Sequence, residues 1–86
     1  TIVLRFSKER FPYVVSKPIH PSQTVNKEEH TITIRVKPNH ELNQMIFSFM
    51  PDVEVLSPES LRKEIMQKIE ENLKKYLSMQ NDRTES

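Results

Sequence analysis

The chain has 86 residues, a hydrophobic share of 35%, a charged share of 29% and a formal net charge of +1, enough for one small domain with a modest core and too few for two. With no cysteine it has neither a disulfide framework nor a thiolate metal site. With no glycine it lacks the dinucleotide fingerprint, the phosphate-cradling P-loop and the nucleophile elbow, all of which need positive φ or close backbone approach.

The chain opens on Thr1, and an extended run follows at once, as in a segment of a longer protein. Residues 2–6, IVLRF, set Ile2, Leu4 and Phe6 on one side and Val3 and Arg5 on the other, the pattern of a half-buried strand. Ser7 is placed to cap a short helix in KERFPYVV that begins near Pro12 and turns Phe11, Val14 and Val15 inward. Residues 19–25 read as an edge strand, with Ile19, Pro21, Gln23 and Val25 on one side and His20, Ser22 and Thr24 on the other. After a polar turn at 26–30 comes TITIRVK, in which Ile32, Ile34 and Val36 alternate with Thr31, Thr33, Arg35 and Lys37.

Asn39 is an N-cap for a helix over HELNQMIFSFM, whose Leu42, Met45, Ile46 and Phe49 share a face and which Pro51 ends. A short strand in DVEVLS follows, with Val53 and Val55 inward. Ser57, Pro58 and Glu59 then supply cap, proline and acid for a long last helix. Leu61, Ile65, Ile69, Leu73 and Tyr76 or Leu77 form one apolar stripe on that helix. The stripe serves either to pack on the chain's own sheet or as a dimer contact. Residues 1–78 form the domain and 79–86 a frayed tail.

The order β-α-β-β-α-β plus a helix predicts an α+β fold, a ferredoxin-like βαββαβ sandwich with an additional C-terminal helix. Its two inner helices cover one sheet face. The other face is expected to carry Arg5, His20, Ser22, Thr24, Thr33, Arg35 and Glu54, polar and modestly basic.

Chemistry is hard to build from these residues. His20 and Ser22 stand two apart, yet no carboxylate orients them and no glycine shapes an oxyanion site. His20, His30 and His40 lack ligand spacing, and the glutamates of the last helix alternate with lysines as ordinary ion-pair support. No enzyme activity, no metal and no cofactor are expected. Recognition of single-stranded nucleic acid on an open sheet requires aromatic side chains for stacking, and the expected face has none. Residues 1–37 carry seven Lys/Arg against three Glu, and residues 38–86 six against nine acids, a small asymmetry that fits a solvated mixed surface better than an anion-binding face on the front half. No apolar run is long enough to cross a membrane.

The runs LRFSKERFPYV, KPIHPSQ and FSFMPDVEVLSPESLRKEI resemble, over residues 2–77, the WCX domain, the C-terminal extension that follows the WYL domain in bacterial transcriptional regulators. The matching residues are Arg5-Phe6, Tyr13-Val14, His20-Pro21-Ser22-Gln23, and Pro51-Asp52-Val53-Glu54-Val55-Leu56 followed by Pro58 and Leu61-Arg62. Ile19 stands where that family often has Trp, and Phe49-Met50 where it has Gly or Trp. The resemblance implies a cytoplasmic, multidomain regulator. In it a winged helix-turn-helix absent from this chain binds duplex DNA, a WYL domain senses a nucleic-acid or nucleotide-like effector, and this module serves effector response or dimerisation. It implies that 19–25 is a recognition or interface strand anchored by Ile19 and Val25. His20, Ser22, Gln23 and Thr33 would then meet a partner domain or ligand, Arg5 and Arg35 would favour an anion, and Leu61, Ile65, Ile69 and Leu73 would pack the helix or a homodimer. The alternative is a stand-alone ferredoxin-like domain that binds single-stranded nucleic acid.

Overall fold

The computed structural model describes the backbone of residues 1–85 and the side chains of residues 1–78. The elements run β1 (Ile2–Phe6), α1 (Phe11–Ser16), β2 (Thr24–Asn26), β3 (Thr31–Ile34), α2 (His40–Phe49), β4 (Val53–Ser57) and α3 (Glu59–Glu85). The expected tail at 79–86 falls on residues whose side chains lie outside this description. The fold is α+β: one four-stranded antiparallel sheet in the order β2-β3-β1-β4, covered by helices.

Alternation decides which sheet face is buried. Ile2, Leu4 and Phe6 of β1, Ile32 and Ile34 of β3 and Val55 of β4 are all buried and share one cluster with Phe11 and Val14 of α1 and Leu42 and Ile46 of α2. Both short helices therefore cover the same sheet face, as the inward residues predict. Phe6 meets Phe49 edge-on with ring centroids 5.3 Å apart, a favoured quadrupole arrangement. The Asn39 cap forms as expected, its Oδ1 accepting from Leu42 N–H at 2.8 Å. Ser7 acts one turn earlier than expected: its hydroxyl accepts from Arg10 N–H at 3.2 Å, and Arg10 itself is the N-cap of α1.

Two expectations about extended segments need correction. β3 ends at Ile34 instead of continuing to Lys37, and β2 comprises only Thr24–Asn26. Residues 19–23 are not a strand but a loop closed by a turn, in which Gln23 N–H donates to His20 C=O at 3.0 Å. Pro21 at the second position of that turn pre-sets its φ. Val25 keeps its inward register opposite Ile32 but is 39% exposed, because β2 is the edge strand of the sheet among the described residues.

α3 divides. Leu61 and Ile65 are buried in the common core, whereas Met66, Ile69, Leu73, Tyr76 and Leu77 are exposed. A five-residue strand spans roughly 17 Å and a 27-residue helix about 40 Å, so the helix outruns the sheet that could cover it. No helix among the described residues is long and apolar enough to cross a membrane.

Candidate functional site

Antiparallel register arranges the sheet face opposite the helices in two rows. Asn26, Thr31, Arg5 and Glu54 lie side by side across β2, β3, β1 and β4, and the neighbouring row is Thr24, Thr33, Val3 and Ser57. This face bears hydroxyls, one amide and an ion pair, and no aromatic ring stands in either row. Thr31 is buried between the longer side chains of its row, while Arg5 stands in solvent.

Arg5 is not an isolated cation. Its Nη2 donates to Glu54 Oε1 at 2.7 Å, and on the other side Arg62 Nη1, from the first turns of α3, donates to Glu54 Oε2 at 2.9 Å. Arg62 Nη1 also donates to Val55 C=O at 2.8 Å. Each oxygen of one carboxylate thus takes a different guanidinium, tying β1, β4 and α3 together. Hydrogen bonds from Arg5 first and Arg62 second hold the Glu54 carboxyl below the usual glutamate range, against a smaller opposing effect of burial. A lowered folded-state value means that the triad's contribution to stability is complete above the ordinary glutamate pKa of about 4.3 and fades as the pH falls through the lowered value. The pairs are nearly half exposed, so solvent and salt screening keep that contribution small.

The HPSQ residues occupy a different place from the one expected of them. Gln23 Nε2 donates to Val14 C=O near the end of α1 at 3.1 Å, and its Oε1 accepts from Ile19 N–H at 3.0 Å. Ser22 Oγ accepts from Arg35 N–H at 2.8 Å just past β3 and lies 2.7 Å from His20 Nδ1, which accepts from Ser22 N–H at 3.1 Å. These three side chains are spent on the chain's own backbone, fastening the 19–23 loop to α1 and to the end of β3. His20 lines a rim cavity of about 390 Å³ with Ile34, Val36, Leu42 and Met45, side chains of the core or packed against it, so it does not share the open face with Arg5 and Thr33. The Arg35 side chain is exposed and makes no ion pair among the described residues.

The structure therefore brings Arg5 and Thr33 together in adjacent rows and adds Arg62, which sequence reasoning did not select. The signals for Arg62 were its place in the Leu61-Arg62 pair that carries the family resemblance and its position one turn into a helix that follows the strand bearing Glu54. Among the described residues no three His, Asp or Glu side chains gather as metal ligands would.

The second surface is the far half of α3. Met66, Ile69, Leu73 and Tyr76 recur at intervals of three and four residues, the seam spacing by which two helices pack together. They are 45–65% exposed. Beside the seam, Phe47 and Met50 from the end of α2 and Ile69 form the apolar floor of a groove of about 620 Å³, with Lys68, Glu71 and Lys75 among its lining residues.

A family model described as WCX domain matches residues 1–73. Neither the curated proteins nor the solved structures contain a match to the chain.

Proposed function

Since the chain belongs to the WCX domain family, we propose that it is a non-catalytic regulatory module of a cytoplasmic WYL-type transcriptional regulator, acting through contact instead of chemistry. Duplex DNA would be bound by a helix-turn-helix outside this chain, and the WYL domain of the same protein is the natural neighbour for the open sheet face. The finer fold assignment, a ferredoxin-like sandwich with an added helix, is part of this reading. It draws support from the antiparallel order β2-β3-β1-β4 and from helices that follow β1 and β3.

One observation carries the proposal: a single helix whose apolar stripe is buried at Leu61 and Ile65 and open to water from Met66 to Leu77. Exposed side chains at helix-pairing intervals beside an apolar groove mark an association surface, and a second copy of the chain is the proposed occupant. Both signs of charge flank the seam, Glu70 and Glu71 standing between Lys68 and Lys74-Lys75 with Glu70 paired to Lys74 at 3.5 Å within the helix, so the flanks present no block of like charge to a second copy. The alternative, stand-alone binding of single-stranded nucleic acid on the sheet, has less support, because stacking needs aromatic rings and the two open-face rows hold none.

Sedimentation equilibrium of the chain and of its Leu73→Asp variant tests the reading. The parent chain is expected to self-associate with rising concentration, and the variant, which places a charge on an already exposed position, to remain monomeric and folded. Equal behaviour of the two would refute an association surface on α3.

A further inference from the structure

We propose that Arg5 and Arg62 form an acceptor site for a phosphate group, which Glu54 occupies from within the chain when no phosphate is bound. The inference rests on the reading of the open sheet face as a contact surface, and names the chemistry that this face would take. Three features of the triad carry it.

The first is geometry. The two oxygens of Glu54 receive one guanidinium each, at 2.7 and 2.9 Å, and a phosphate offers oxygens at a similar spacing with a larger charge. Arginine is the side chain suited to such multidentate oxyanion contacts. The second is placement. Arg62 is held by Val55 C=O at 2.8 Å independently of Glu54, and Arg5 rises from the centre of the sheet between Thr31 and Glu54. Both cations stay on this face if the carboxylate rotates away, leaving two positive charges unopposed.

The third is exchange. The side chains of Arg5, Glu54 and Arg62 are 51, 42 and 40% exposed, so a solute reaches them without any opening of the fold, and exposed ion pairs of this kind are weak enough to be traded for another partner. Thr33 and Ser57 in the adjacent row lie next to the site with hydroxyl donors. Arg62 stands on the helix that carries the proposed association seam, so a phosphate that recruits it acts on the first turns of that helix.

The test is a titration of the isotopically labelled chain with inorganic phosphate, followed by backbone amide NMR, with chloride at matched ionic strength as control. Saturable shifts are expected at Arg5, Thr31, Glu54 and Arg62. Glu54→Gln, which removes the internal competitor, is expected to bind on the order of five-fold tighter, and Arg5→Gln and Arg62→Gln to lose saturation while their remaining resonances keep the folded pattern. Absence of saturable shifts in both the parent and Glu54→Gln, shifts reproduced by chloride, or binding indifferent to Arg5→Gln would each overturn the site. None of these outcomes bears on the sedimentation result, so the assembly reading stands or falls separately.

Discussion

Replacing Ile65 by alanine lowers the unfolding free energy by about 2–5 kcal/mol, the range for deleting a buried branched side chain and leaving part of a cavity, whereas Leu73→Ala changes it by less than about 0.5 kcal/mol. The two residues stand eight positions apart on one apolar stripe, and a stripe that served one purpose throughout would give them similar effects. Ile65 is 4% exposed in the common core, and Leu73 is 53% exposed. Urea denaturation of a dilute sample, in which any association is suppressed, separates them. Comparable losses for both variants would mean that the far half of α3 folds back onto the domain and is not an exposed seam.

Gln23→Ala is expected to destabilise the chain by about 1–3 kcal/mol, since it removes a side-chain amide and leaves both of its backbone partners, Val14 C=O and Ile19 N–H, without their bond. Both bonds are part-buried, so water replaces them only in part. Gln23→Glu keeps an acceptor for Ile19 N–H but opposes a carboxylate to Val14 C=O, and is expected to cost as much or more. Thermal denaturation compares the two with the parent chain. If Gln23 instead served a ligand or partner, as its place in the HPSQ run first implied, both variants would retain parental stability in the isolated chain.

What was legible in the sequence follows from how locally each feature is determined. Strand faces in β1 and β3 could be read because one row of aliphatic residues alternates with polar ones, and burial enforces that alternation. The start of α2 could be read because Asn39 reaches only three residues ahead to Leu42 N–H. Residues 19–23 misled because polar residues alternate by chance as easily as by design. Here Ser22, Gln23 and His20 close local bonds to the backbone that compete with strand pairing. Pro21, in the second position of a four-residue turn, was the available sign.

The partnership of Arg5 with Glu54 spans 49 residues and depends on a cross-strand register with an irregularity between Val3 and Leu4, which composition does not specify. Along α3 the residue types are the same inside the domain and beyond it. Only the ratio of helix length to strand length, available from the sequence, indicates that the two halves of the stripe have different fates.

Amide hydrogen exchange of the intact chain at low and at high concentration tests the central claim most directly, because it locates any contact as well as detecting it. Protection is expected to rise on concentration across residues 66–77 of α3 and at Phe47 and Met50 beside it, with β1, β3 and the residue 19–23 clamp unchanged. Protection that rises instead along the outer edge of β2, or nowhere at all, would contradict an assembly surface built from the exposed half of the last helix.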